Sequence, residues 1–315
     1  MRTILMDGDP GHDDTVAFLL ALAFPERFRI AGFTTVAGNS TAKNCTGNIL
    51  KVMDYLGVSI PVAAGYESPL VRELDTAAKY HGETGLDGLL SYPPAVSRPL
   101  AKHAIEFLKE TILSSKEKIT LVTMGPLTNI AVLLKTWPQV LEKIEEIVMM
   151  GGSFASGNSL AKSEFNMYAD PEAAKIVFDS DAKITMATIE ACFSGGLLLT
   201  EQETLKDGGK VSRLVYDILK YYSRYAVKNG WDRTAVFDMT TILYLLSPEI
   251  FSWRDMKVDI ELSGAHTRGM TVCDDRGPTY LAEPENPRRV LLGAEREEVA
   301  KLFFAGMHAL DQRFE

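Results

Sequence analysis

Four carboxylates crowd into eight positions near the start of the chain, in Asp7-Gly8-Asp9-Pro10-Gly11-His12-Asp13-Asp14. Carboxylates this close repel one another and raise each other's pKa unless a cation stands between them. Donors that are all oxygen suit a hard ion, Ca²⁺ or Mg²⁺. The plainer alternative is a solvated turn in which Asp14 caps a helix, yet such a turn has no need of Asp on both sides of Pro-Gly. Other polar residues with chemical potential are Asn39, His81, Asn158, Glu164 and Asn166, several of them flanked by glycine. Asn and Glu in such loops also serve as ordinary turn formers. Asp238, ahead of Met239-Thr240-Thr241, reads by itself as a helix cap. No Gly-x-Ser-x-Gly elbow, Cys–His pairing or Walker loop competes for a catalytic role.

The acids begin where a short apolar run, Ile4-Leu5-Met6, ends. Asp13 or Asp14 then caps a helix through Ala17, Leu20 and Leu22 to Phe24, closed by Pro25. Residues 29–36 read as a second strand, followed by a helix from about 41 to 56 that Gly57 stops. The pattern returns: a strand at 119–124, a Gly125-Pro126 turn, a helix at 127–137 and a strand at 146–150. A Gly-rich loop over 151–170 opens a helix at Pro171, and 183–189 is a further apolar run. Such alternation predicts an α/β fold with a mostly parallel central sheet flanked by helices. Its active site belongs at the carboxyl ends of the strands. Val211, Leu214, Val215, Ile218, Leu219 and Tyr222 mark one face of an amphipathic helix. Short strands and turns over 257–292 lead to a last helix near 297–311. With no repeat, low-complexity tract or linker, residues 1–315 read as one domain.

Bulk composition narrows the function classes. The chain has 315 residues, 46% hydrophobic and 24% charged, as expected of a globular protein with a large core. Its 33 basic against 42 acidic residues give −9, with no basic cluster, which argues against nucleic acid as a partner. A metal ion or a small neutral or cationic ligand fits better. Three scattered cysteines, Cys45, Cys192 and Cys273, show neither metal-ligand spacing nor a disulfide framework. The best apolar run, Val16 to Phe24, is about half of what a bilayer requires. A cytoplasmic protein without membrane contact and without a targeting segment is the expectation.

Asp-x-Asp after a first strand also opens the haloacid-dehalogenase-like phosphotransferases. Those usually carry Thr where this chain has Gly11, and they give Asp13-Asp14 no role. A fuller match lies elsewhere. The acidic block resembles the amino-terminal signature of the inosine–uridine nucleoside hydrolase family, usually Asp-x-Asp-Pro-Gly-x-Asp-Asp. The resemblance continues in order through Thr34-Thr35-Val36-Ala37-Gly38-Asn39, His81-Gly82-Glu83-Thr84-Gly85 and Gly125-Pro126-Leu127-Thr128-Asn129. It then runs through Met150-Gly151-Gly152, Glu164-Phe165-Asn166, Asp170-Pro171-Glu172-Ala173-Ala174 and Gly269-Met270-Thr271-Val272. Several blocks in one order are far more specific than any single motif.

The resemblance implies a calcium-dependent hydrolase of the N-glycosidic bond of ribonucleosides. It implies Ca²⁺ on Asp9, Asp14, Asp238 and the carbonyl of Met124, with ribose bound by Asp13, Asn39, Asn158, Glu164 and Asn166. Asp9 then becomes the base for a nucleophilic water, and a homodimer or homotetramer is the expected assembly. The reaction passes through an oxocarbenium-like ribose, which nearby carboxylates favour electrostatically.

Two departures concentrate on one side of the expected site. Family members commonly carry His just before the last metal-binding Asp, where this chain has Phe237. A second common His, in the block after Ile189, is replaced by Phe193, with Glu190 where Asp is usual. Imidazoles are lost on the base side, while the metal and ribose sides are intact. Leaving-group activation could then fall to His81, to Tyr222 or a neighbouring tyrosine, or to aromatic contact by Phe237 or Trp231. A different N-ribosyl substrate with a base that leaves readily is the other reading. A non-catalytic ribosyl-binding protein that keeps the metal–ribose site is the competing class. His12 reads as structural, and His103, His266 and His308 as surface or packing residues.

Overall fold

In the computed structural model, residues 1–276 and 286–315 are described. Eleven strands are present among them: β1 Arg2–Gly8, β2 Phe28–Thr35, β3 Val62–Ala64, β4 Ile119–Thr123, β5 Ile144–Met150, β6 Ile184–Ala187, β7 Leu197–Leu198, β8 Arg233–Thr234, β9 Phe251–Ile260, β10 Thr271–Asp274 and β11 Arg288–Ala294. Nine form one sheet in the order β10-β9-β11-β6-β5-β4-β1-β2-β3, and β7 and β8 form a separate pair. From β3 to β11 all neighbours run parallel, and β9 and β10 add an antiparallel edge. The α/β, mostly parallel architecture is the one that the alternation predicts.

The central strands β1, β4 and β5 are buried almost throughout, because helices cover both faces and leave no solvent side for alternating polar residues. Helix His12–Ala23 is buried along its whole length, between the sheet and helices Met239–Leu246 and Arg296–Arg313. Its cap uses one of the two expected acids, Asp14. Gly11 is the N-cap residue, and the Asp14 side chain turns back to accept from the Gly11 and Asp9 amides. The acid therefore caps its own helix through the Gly11 amide and also fastens the preceding loop through the Asp9 amide.

Other expected boundaries hold to within a residue or two. Thr41 caps helix Ala42–Leu56, and Gly57 ends it at φ 67°, a left-handed geometry that favours glycine. The amphipathic helix spans Lys210–Tyr222 and buries Val211, Leu214, Val215, Ile218 and Leu219. Helix Ala104–Ser114 and the short β3 were not read from sequence. The expected short strands of 257–292 are represented by β9, β10 and β11; residues 277–285 lie outside the described residues. Among the described residues no helix is long and apolar enough to cross a membrane.

This topology gathers distant blocks. Asp9 follows β1, Asn39 follows β2, Met124 follows β4 and Gly151-Gly152 follow β5, all at the carboxyl end of the sheet. Asp7, at the end of β1, ties three of them: Thr34 Oγ1 and Asn129 Nδ2 both donate to its Oδ1, at 2.5 and 2.7 Å. Asp170 makes a similar joint, accepting from Leu70 N, Thr128 Oγ1 and Ala173 N.

Candidate active site

Buried acids define the centre. Asp9, Asp13, Asp14 and Asp238 are each at most 6% exposed. Carboxylate oxygens of Asp13, Asp14 and Asp238 all lie within 4.8 Å of one another, a group able to hold a metal ion. Asp238 does not act as a side-chain cap for the helix it precedes, so the plainer reading of that residue fails. Burial, then the neighbouring Asp13 charge, pushes the Asp14 carboxyl up to about 7. Burial, then the Asp14 charge, holds Asp9 well above the usual carboxylate range, and burial with Asp13 does the same to Asp238. Without a cation these groups retain protons that carboxylates ordinarily lose.

Asp9 Oδ2 accepts from the Asn39 amide at 2.6 Å, while its Oδ1 is buried without a partner; Asp13 Oδ1 is likewise unpartnered. Orphaned carboxylate oxygens in an acidic cluster are what a cation or a sugar hydroxyl would satisfy. The Met124 carbonyl accepts from Asn166 Nδ2 at 3.0 Å, which leaves its second lone pair for another partner. The donors fit a hard divalent ion.

The expected ribose residues divide. Asn39 Nδ2 reaches Asp9 O and Asp14 Oδ2, at 3.2 and 3.1 Å, so it braces the acidic loop as well as bordering it. Asn166 Nδ2 also donates to Met150 O at 3.1 Å. Glu164 caps helix Phe165–Ala169 through Asn166 N and Met167 N and also accepts from Gly152 N. Burial raises its carboxyl to about 7. The turn-forming alternative for Glu164 is thus part of its role. Asn158 is exposed in the 151–164 loop, its amide on Ser163 O, and is not drawn to the acidic cluster. Tyr222 is drawn in: its hydroxyl donates to Asp13 Oδ2 at 2.9 Å. His81 is buried, with its ring 5.4 Å from that of Tyr222. His12, read as structural, packs directly on His81 at 5.3 Å between ring centres.

A sequence profile described as inosine-uridine preferring nucleoside hydrolase matches residues 4–301. The chain belongs to that family. It is a nucleoside hydrolase, an N-glycosidase by class. It is 42% identical over 277 residues to the pyrimidine-specific ribonucleoside hydrolase RihA of Photobacterium profundum, covering 87% of this chain and 89% of the relative. RihA of an Enterobacter species is 40% identical, covering 86% and 87%. Among solved structures, the purine-preferring ribonucleoside hydrolase of Gardnerella vaginalis superposes with a TM-score of 0.91 at 26% identity, covering 99% and 100% of the two chains. A plant nucleoside hydrolase gives 0.90 at 27%, covering 98% and 99%.

The side of the site expected to face the base is aromatic. Phe193 and Phe237 pack edge to face at 5.4 Å, and Phe193 is 43% exposed. Phe237 lies against a small apolar cluster of Met150, Ile189, Cys192 and Ala235. Glu190 accepts from the amides of Phe154, Ala155 and Ser156, which anchors the 151–164 loop and keeps its carboxyl below the usual range despite partial burial. Trp231, offered by the sequence as a base contact, is 54% exposed beside helix Arg224–Lys228. That helix is tied across to the His81 segment, since Arg224 Nη2 and Tyr225 Oη both donate to Lys79 O.

Glycine in the family blocks now has a physical reason. A Cβ on Gly38 would overlap the Asp9 carboxylate, and one on Gly125 would come within 2.7 Å of Asp9 Oδ1. Gly38→Ala is therefore expected to displace Asp9. Displacements near 1 Å cost about 10²-fold in rate, so kcat should fall by about that factor, while overpacking of about 1–3 kcal/mol should lower the melting temperature by only about 2–5 °C. Unchanged kcat for the folded variant would show that Asp9 tolerates movement.

Proposed function

We propose that this enzyme hydrolyses the N-glycosidic bond of ribonucleosides with the help of Ca²⁺, acting as one domain over residues 1–315. The observation that carries the reading is the unpartnered, buried Asp9 Oδ1 within a carboxylate cluster at the strand ends. Asp9, Asp14, Asp238 and the Met124 carbonyl would hold the ion, with Asp13 close enough to join them or to take a ribose hydroxyl. Bound there, a divalent cation would orient the ribose diol and make the attacking water more acidic.

The chain's own groups do the rest. The Asn39 amide fixes Asp9 Oδ2, so Oδ1 is free to take a proton from water. Asp13, steadied by Tyr222, supplies negative charge near the developing oxocarbenium. Ca²⁺ is favoured over Mg²⁺ because many protein oxygens surround the centre, whereas Mg²⁺ usually keeps several waters. The names of the RihA relatives support a ribonucleoside substrate, pyrimidine nucleosides first among those to try. The deciding assay is turnover of purine and pyrimidine ribonucleosides with and without chelator. Activity that survives removal of all divalent cations would sink the metal-dependent reading.

The acidic cluster also predicts a pH-dependent stabilisation. Asp14 has a folded-state value of about 7 against an ordinary 3.8. Cation-free protein therefore loses stability as pH rises from about 4, fully so above about 7, because the native state must then give up a proton it holds more tightly than the unfolded chain does. A cation cancels that repulsion. At a hundredfold excess over Kd, Ca²⁺ should add about 2.7 kcal/mol, or about 4 °C for a chain of this length. With the Ca²⁺ concentration held the same, the shift should be larger at pH 8 than at pH 5, because protonation of the carboxylates weakens binding at the lower pH. Equal shifts at both, measured by thermal melting after chelation, would exclude these carboxylates as the ligands.

A further inference from the structure

Two histidines meet behind the acidic cluster in an order that fixes where their protons lie. His12 Nε2 accepts from the Gly88 amide at 3.2 Å, so that nitrogen bears no proton. The His12 ring proton must then sit on Nδ1, which lies 3.3 Å from His81 Nδ1. The backbone N–H of His12 points at the same atom, at 3.4 Å. A backbone amide can only donate, so His81 Nδ1 receives two inbound hydrogens and carries none. The remaining proton of the His81 ring is on Nε2, for which the described residues supply no acceptor.

His12 cannot easily turn away from this task. It is fully buried, with its ring parallel to that of Tyr221 at 5.0 Å and nearly parallel to that of Tyr222 at 5.6 Å. Tyr222 in turn is pinned by Asp13. The chain Gly88, His12, His81 therefore runs from a backbone amide to the edge of the site, each link with a defined donor.

We infer that His12 is a positioning residue for His81, locking it as the neutral Nε2–H tautomer, so that His81 presents only a hydrogen-bond donor to the substrate. The inference rests on the ribohydrolase reading for its substrate. It restricts what His81 does there. Loss of the Nε2 proton from a neutral imidazole would leave an imidazolate, so His81 stabilises an acceptor atom of the departing base by a hydrogen bond and does not hand over its proton. The partner is an electron-rich oxygen or nitrogen that gains negative charge as the glycosidic bond breaks. A donor group on the substrate at that place would be rejected.

The test begins with the wild-type chain, uniformly ¹⁵N-labelled at histidine, in a long-range ¹H–¹⁵N correlation spectrum; loss of one signal set in His81→Gln assigns it. The expected result is a bare Nδ1 and a proton-bearing Nε2 for His81, with the opposite arrangement for His12. A proton on His81 Nδ1 overturns the inference without any activity measurement. Kinetics give the second arm. His12→Phe keeps the stacked ring but has no donor, and should lower kcat/KM for uridine by about 10- to 100-fold. It should leave p-nitrophenyl riboside, whose leaving group needs no such bond, within a few-fold of wild type. His12→Asn offers an amide N–H in place of Nδ1 and should recover most of the loss. Equal losses in both variants would make His12 a packing residue and overturn the assignment. Failure of the wild type on every riboside would instead sink the ribohydrolase reading, and the spectrum would still decide the tautomer.

Discussion

Asp9→Asn is expected to abolish nucleoside turnover while leaving the cation-free protein at least as stable as wild type. The two effects have one origin. In the folded chain Asp9 Oδ2 is held by the Asn39 amide, and Oδ1 is buried with no partner beside Asp13 and Asp14. An asparagine can keep the first contact through its carbonyl oxygen. It cannot accept a proton from water, and it removes one negative charge from the proposed cation site. A positioned general base is worth roughly 10²–10⁴-fold, so kcat should fall to the far end of that range with Ca²⁺ still in excess. Stability moves the other way. Burial and the Asp14 charge raise the folded Asp9 carboxyl well above its ordinary 3.8, so its ionisation costs native stability as pH rises from there. Removing the ionisable group lifts that cost, and melting in chelator at pH 8 should show an equal or higher temperature. Wild-type kcat with the ion bound would place the base on another residue. A collapse of the melting temperature in chelator would show that the Asp9 charge is needed for folding.

The sequence made the ends of this site legible to different degrees. Buried apolar runs and their caps located β1, β2, β4, β5, β6 and several of the longer helices, though not Ala104–Ser114, since both faces of a parallel sheet need continuous hydrophobic stretches. The acidic block was legible because no solvated turn needs so many carboxylates around Pro-Gly. What the sequence could not show were contacts made between residues 27 to 122 positions apart. Asp7 with Thr34 and Asn129 is such a case, as is Asp170 with Leu70 and Thr128. All of these except Leu70 stood in a recognisable block, yet the bonds that explain them join segments that only the strand order makes neighbours. The Asp14 cap was legible because an acid in the first turn usually serves its own helix, as it does through the Gly11 amide; its second bond, to the Asp9 amide in the loop before, was not. His12 looked structural because nothing in its neighbourhood pointed to His81, 69 residues on.

Phe237→His is expected to raise turnover of natural nucleosides more than that of p-nitrophenyl riboside. The reasoning starts from what stands on the base side. Phe237 and Phe193 form an edge-to-face pair over an apolar cluster, where other members of the family commonly have imidazoles. Neither ring can protonate a leaving base. If His81 is confined to donating a hydrogen bond, and the Tyr222 hydroxyl is engaged by Asp13, the family's usual imidazole acid has no replacement beside Phe237, and a natural base must depart with less help. A positioned acid contributes about 10²–10⁴-fold, so the deficit should be large for poor leaving groups and small for p-nitrophenolate, which departs unaided. Wild-type enzyme should then cleave the activated riboside readily and natural nucleosides more slowly. An introduced imidazole should narrow that gap, provided it takes the place of the Phe237 ring against Phe193. The reverse ordering carries its own meaning. Rapid natural turnover that falls on introducing His would show that the phenyl ring belongs to a working pocket. Contact between Phe237 and the face of the base would then be worth more to the transition state than the proton that histidine could bring.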